Sequence, residues 1–307
     1  RDNKSYLMVD SQYKDIKKED KYFSVNSSDD EEIVDFPDYL LGSRSYKPKV
    51  DISSKLKIDD YIKKYIHMSS EEIIKLGYTD HVLKIVEKYE DEVFIAVHIP
   101  SAICEIFDPT TGYLGFERGL IAFHDYSVTM KYLLERCYEE QLEWAKAYAM
   151  AGAHAYIISE SYISPDLVNP NIYRNFMKNI HRGYFKEVEN IGLVPICMFW
   201  GDVSQILEDL TEVNIKALMV EESKKGFNLD IKKIRDRIGN RVCIFGNLDS
   251  INLLHNGTPE EVRDEVIKQV QEAKNNFIIA NGSPITIGTP EANIKSLINT
   301  GKGVLWN

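Results

Sequence analysis

From residue 93 onward the chain alternates between short apolar runs and longer stretches with apolar residues at three- and four-residue steps. The short runs are Val93-Phe94-Ile95-Ala96-Val97, Ala155-Tyr156-Ile157-Ile158, Val194 to Phe199, Ala217 to Val220, Val242 to Phe245 and Phe277 to Ala280. They are apolar at consecutive positions, as expected of strands buried on both faces in a parallel sheet under helices. Between them, Met130, Leu133, Leu134, Cys137, Trp144 and Tyr148 fall on one face of a long helical stretch ending at Gly152. Ile172, Phe176, Ile180, Tyr184 and Val188 mark the next helix, with Asn169 as its cap, Pro170 as its first residue and Gly192 at its end. Ile206, Leu207, Leu210 and Val213 mark another, and Ile231, Ile234 and Ile238 one that Gly239 stops. Thr258-Pro259-Glu260-Glu261 is a capping box opening a helix with Val262, Val266 and Val270, and Thr289-Pro290 opens the last.

Upstream the rhythm is lost. Residues 1–60 carry short apolar runs (Tyr6 to Val9, Tyr22 to Val25) broken by Ser27 to Glu32, by Pro37 and by Pro48, which predicts long loops with two strands. Asp59 to Tyr65 and Ser70 to Leu76 read as short helices. The chain therefore divides into an irregular region, 1–92, and a run of βα units, 93–307. Six βα units in a row fit either a (β/α)8 barrel or an open doubly wound sheet. No GxGxxG follows the first strand, so the α/β barrel is favoured. Its first one or two βα units are divergent or missing, and the absent strands must come from 1–92 or lie outside this chain.

Composition narrows the partners. With 37 basic and 48 acidic residues the net charge is −11, which opposes nucleic acid and anionic membrane as partners. No apolar run approaches the roughly 18 residues of a membrane span, and the first residues have no apolar signal core. Cys104, Cys137, Cys197 and Cys243 form no CxxC pair, which argues against a disulfide framework or zinc knuckle and for a reduced, cytoplasmic setting.

In barrels, chemistry gathers at the C-terminal strand ends. Those positions give His98; Ser159, Glu160 and Ser161; Met198, Trp200 and Asp202; Glu221 and Glu222; Asn247 and Asp249; and Ser283. Ser159, Ser161 and Asp202 also suit helix caps. His98 also suits a packing role, and Asn247 and Asp249 a tight turn. Tandem Glu221 and Glu222 should point opposite ways, so that at most one faces the mouth.

Gly246-Asn247-Leu248-Asp249, followed by Leu253-Leu254 and Gly257-Thr258-Pro259-Glu260-Glu261-Val262, resembles the uroporphyrinogen decarboxylase superfamily. Ala151-Gly152-Ala153, Ile163-Ser164-Pro165, Gly192 to Asp202 and Thr289 to Ile294 extend the likeness over about residues 93–300. The resemblance implies a (β/α)8 barrel, often dimeric. It also implies one of two activities, decarboxylation of a porphyrinogen without cofactor or methyl transfer linked to a corrinoid. Decarboxylases carry an N-terminal RQAGR-like segment that residues 1–92 lack. The methyltransferases bind zinc through a His-x-Cys and a distal Cys. Those positions become Met198, Trp200 and Ser283 here, so zinc would need other ligands such as His98, Glu160, Asp202, Glu221 or Glu222.

Glu221-Glu222 and Gly115-Phe116-Glu117 resemble the methyltransferase branch more closely. The expectation is methyl transfer between a small methylated substrate and a corrinoid (cobalamin) or corrinoid protein, with no tightly bound cofactor. Tyr162, Met198 and Trp200 would line a pocket, Glu160, Asp202, Glu222 and His98 would act on substrate, and Asn247, Asp249 and Ser283 would bind it. A carboxy-lyase and a degenerate ligand-binding barrel are the alternatives.

Overall fold

The computed structural model describes residues 49–304 except 90, 91, 110 and 225, and the backbone of three upstream strands. Those strands, β1 (Tyr13–Lys18), β2 (Lys21–Asn26) and β3 (Glu32–Phe36), form their own antiparallel sheet. The Tyr22 run thus falls in β2, whereas the Tyr6 run lies outside the described residues.

The main sheet has six parallel strands in sequence order: β4 (Ala96–Pro100), β5 (Ala155–Glu160), β6 (Val194–Phe199), β7 (Ala217–Val220), β8 (Cys243–Phe245) and β9 (Phe277–Ile278). This is the βα succession expected of a barrel. The described residues add no seventh or eighth parallel strand, so the missing two are not supplied by the described part of 1–92.

The strands alternate between two environments, as the period of two requires. Ala155, Ile196 and Ala217 pack together on one face with Ile157, Met219 and Phe245. Tyr156, Ile158, Cys197, Phe199, Leu218 and Ile244 point the other way into the helix layer, where the main apolar cluster lies. That cluster begins at Val50 and takes in Ile58, Tyr61 and Ile62 of α1 (Lys55–Tyr65). The segment before residue 93 thus shares the core of the βα units.

Local signals set the helix ends. Ser69 caps α2 (Ser70–Lys75), with Glu72 completing a capping box. α3 (Asp80–Tyr89) follows. The first strand begins three residues later than its apolar run, because Phe94 is spent elsewhere: its ring stacks on His154 at 5.5 Å, and Ile95 N–H donates to His154 Nδ1. α4 (Ala102–Phe107) is capped by Ser101. α5 (Phe116–Asp125) comes next, and after Tyr126 the long helix marked by Met130 to Tyr148 is α6 (Ser127–Met150). Asn169 caps α7 (Pro170–Ile172), which runs through a π turn (Tyr173–Met177) into α8 (Lys178–Ile191). Gly192 ends α8 at φ +102°, a conformation suited to glycine. α9 (Leu207–Thr211), α10 (Ile231–Ile238), α11 (Pro259–Ala273) and α12 (Glu291–Gly303) complete the layer.

Candidate functional site

The C-terminal strand ends carry two separate polar groups, one on each side of the sheet. On the concave side, β7 ends in Glu221 and Glu222, both 3% exposed. The two carboxylates do not diverge as expected. The chain leaves the strand after Val220, and both reach the ammonium of Lys224, Glu222 Oε1 at 3.3 Å and Glu221 Oε1 in a closer ion pair. Lys224 Nζ also donates to Ser283 Oγ at 2.8 Å. The second oxygen of Glu221 accepts the Gly201 N–H at 2.7 Å. One lysine and one glutamate therefore tie the loop after β6 to the loop after β9. Burial works against the Lys224 charge, but the two carboxylates outweigh it and hold the ammonium above the usual lysine value.

Glycine is required twice in this arrangement. A Cβ on Gly282 would stand 2.3 Å from the Glu222 amide nitrogen. Gly201 has φ +93°, and its Cβ would stand 2.4 Å from Asp166 Oδ1.

Beside this group, Trp200 Nε1 donates to Ser159 Oγ at 2.6 Å, and Met198 Sδ lies 3.8 Å from the same hydroxyl. Ser159 and Met198 are register partners across β5 and β6 and so share a face. Tyr162 lies apart from them, packed on Phe107 and Phe116 with ring centroids at 6.2 and 5.8 Å.

The second group lies behind the sheet. Glu160 pairs with Phe199 in register and so faces the helices, with no exposed surface. Its Oε1 accepts the Tyr138 hydroxyl at 2.6 Å and lies 2.9 Å from His181 Nε2, while its Oε2 accepts Ser101 Oγ–H at 2.8 Å. Tyr173 OH lies 3.2 Å from His181 Nδ1. Burial first, and then the Glu160 charge, pushes the Tyr138 hydroxyl well above the usual tyrosine value. Three donors satisfy the carboxylate where water is excluded. The expected contact of Glu160 with a ligand at the mouth is thus replaced by a bracing role between β5, α6 and α8, set by strand parity.

The remaining expectations resolve individually. His98 is in mid-strand, because β4 starts late. It is exposed at its surface, yet partial burial of its ring holds it below the usual histidine value. Asp202 Oδ1 accepts the Ser204 N–H at 2.8 Å, a local turn. Asp249 caps the π turn Ser250–His255, accepting Ile251 N–H at 2.8 Å and Asn252 N–H at 2.7 Å. Asn247 Nδ2 holds the Glu221 and Leu229 carbonyls at 3.1 and 2.7 Å. Asn247 thus props the strand-end group, and Asp249 shapes the adjoining turn.

The residues at the expected zinc positions do not fit that ion. The Trp200 indole is a donor only and is already bonded to Ser159. Ser283 faces an ammonium rather than a vacancy for a dication. Among the described residues no three His, Cys, Asp or Glu side chains converge as a metal site, so His98, Glu160, Asp202, Glu221 and Glu222 do not rebuild one.

Sequence reasoning missed Lys224, Tyr138 and His181. Lys224 follows Glu221 at three positions, a spacing that pairs charges readily. His181 interrupts the apolar face of Met177, Tyr184, Phe185 and Val188.

A barrel-type α/β enzyme fold with a polar strand-end group is the class these features define. The family model for uroporphyrinogen decarboxylase (URO-D) matches residues 59–304, and the chain belongs to that family. It is 30% identical over 181 residues to the methylcobamide:CoM methyltransferase MtaA of Methanosarcina barkeri, covering 58% of this chain and 51% of that protein. It is 25% identical over 279 residues to the uroporphyrinogen decarboxylase of Chlorobium phaeobacteroides, covering 84% of this chain and 72% of that one. A solved methyltransferase from Methanosarcina mazei superposes with a TM-score of 0.70 at 21% identity, over 84% of this chain and 71% of that one, a likeness of fold. The chain spans about half the length of the first methyltransferase relatives it matches. No described helix is long and apolar enough to cross a membrane.

Proposed function

We propose that this chain works on the methyl-transfer side of its family, moving a methyl group between a small methylated substrate and a corrinoid or corrinoid protein. The observation that carries this reading is the sharing of Lys224 between Glu221 and Glu222. Two buried carboxylates against one ammonium leave the strand-end group net anionic, which repels a polycarboxylate such as a porphyrinogen. None of the described arginines follows the C-terminal end of a parallel strand: Arg118, Arg136, Arg182, Arg235, Arg237 and Arg263 are on helices, Arg174 is in the π turn, and Arg241 precedes β8. A carboxylate clamp needs such cations.

The corrinoid supplies the metal centre that takes or gives the methyl group; the protein supplies binding and orientation. Trp200 and Met198 offer an apolar wall to the methyl substituent, with Ser159 fixing the indole plane. Lys224, whose three N–H donors go to Glu221, Glu222 and Ser283, anchors this group, and Glu221 keeps the two loops in register. Tyr162, His98, Asp202 and Asp249 are assigned no chemical step.

The length of the match to the Chlorobium decarboxylase favours carbon–carbon lysis as the second reading. Spectral titration separates the two. Under anoxic conditions the protein should perturb the visible spectrum of a reduced corrinoid and give no saturable heat with uroporphyrinogen in calorimetry, and Trp200→Ala should weaken the corrinoid effect. Saturable binding of uroporphyrinogen without corrinoid binding would favour the lyase.

A further inference from the structure

Lys224 lies on the loop that runs from Glu221, after β7, to Leu229, before α10. One side-chain amide closes the base of that loop. Asn247 Nδ2, just past β8, donates to the carbonyls at both ends, Glu221 at 3.1 Å and Leu229 at 2.7 Å. Within the loop, the Leu229 N–H donates to Ser223 Oγ at 3.0 Å. The Asn247 amide has only one workable orientation. Turned over, it would set its oxygen against two carbonyl oxygens and release both ends of the loop at once. With its nitrogen on the loop, its Oδ1 needs a donor. Gln269 of α11 supplies it: Nε2 donates to Asn247 Oδ1 at 3.3 Å and to Glu265 Oε1, one turn back, at 3.2 Å. The Gln269 amide is fixed in the same way, since turned over it would face those two oxygens with a third. Asn247 and Gln269 are 6% and 5% exposed, so water does not stand in for either bond.

We infer that Gln269 is a positioning residue for the strand-end group. It sets the Asn247 amide, the amide holds both ends of the loop, and the loop brings Lys224 to Glu221, Glu222 and Ser283. A side chain on the outer helix layer thus governs the bridge between the loops after β7 and β9. How the group is held does not depend on the reaction it serves.

Acylation of lysine amines, read residue by residue by mass spectrometry, tests it. The Lys224 side chain is 30% exposed, so reagent can reach it. Its ammonium is bonded to three acceptors and reacts only after it lets go of them and loses a proton. Gln269→Met keeps the bulk of the side chain and removes its donor. It should speed acylation of Lys224 about tenfold, the weight of one buried hydrogen bond in a local opening. Amide hydrogen exchange of α11 should stay near the wild-type rate. Asn247→Ala should speed Lys224 acylation to a similar extent. Because Gln269 acts through Asn247, adding Gln269→Met to Asn247→Ala should bring no further increase. Thermal melts confirm that each variant is folded. An unchanged Lys224 rate in folded Gln269→Met overturns the inference. So does multiplication of the two effects in the double variant, which marks independent packing, or a parallel rise in α11 exchange, which marks loosening of the whole helix.

Discussion

Glu221 bridges Lys224 and the Gly201 amide, so a single carboxylate fastens the loop after β6 to the loop after β9. Neighbouring Glu222 draws on the same ammonium. The ion pairs are buried on the acid side and about one-third open on the lysine side, with 30% of the Lys224 side chain exposed.

Lys224→Met leaves two buried carboxylates facing each other without a cation. Breaking a buried pair from one side costs about 3–5 kcal/mol; the partial exposure of Lys224 reduces this to about 2–4 kcal/mol. Chemical denaturation should show that loss at neutral pH. The Lys224 contribution is fully present below its ordinary value of 10.5 and is lost as pH rises through the higher folded value. On the alkaline side the difference between wild type and variant should therefore persist until strong alkali.

Tyr138→Phe removes one of three donors to Glu160 and leaves an empty place beside His181. A buried acceptor short of one partner costs about 1–3 kcal/mol. The melting temperature should fall accordingly, while the spectral response to corrinoid, which depends on the opposite face of β5, should survive. An equal loss of binding and stability would place the Glu160 group in the site rather than behind it.

Acid unfolding should depend in part on Glu189. Its carboxylate is bonded first to Lys216 and then to Lys186, at 2.7 and 2.9 Å, which lowers its pKa from 4.5 to about 2. The stabilisation it gives is present above 4.5 and is lost as pH falls towards 2. Melting temperature followed over that range should fall less steeply in Glu189→Gln than in the wild type.

Zinc content tests the misfit at Trp200 and Ser283. Protein purified without chelator should carry well under one zinc per chain by elemental analysis, and chelator treatment should leave the melting curve unchanged. About one tightly held zinc per chain would contradict the geometry at Ser283 and Trp200.

The βα succession was legible because strands buried on both faces must be apolar throughout, and helix ends were legible where a cap carries its own chemistry, as at Thr258 and Asn169. The start of β4 was not, since an apolar residue says nothing about its partner: Phe94 packs on His154 outside the sheet. For the candidate site, position along the chain showed which residues follow β5 to β9. It could not tell that Glu160 faces the helices until the register with Phe199 was known, or that the chain turns after Val220 so that Glu221 and Glu222 meet one lysine. Asp249 illustrates the same limit: its side chain is used up by the turn that follows it.

The reaction proposed for this chain is methyl transfer to or from a corrinoid. The most direct test is an anoxic incubation of the protein with reduced corrinoid and a panel of small compounds isotopically labelled in the methyl group, reading label in the recovered corrinoid. Enzyme-dependent labelling from at least one methylated compound, abolished by Trp200→Ala, is expected. Unlabelled corrinoid throughout, together with carbon dioxide released from uroporphyrinogen by the same preparation, would contradict it.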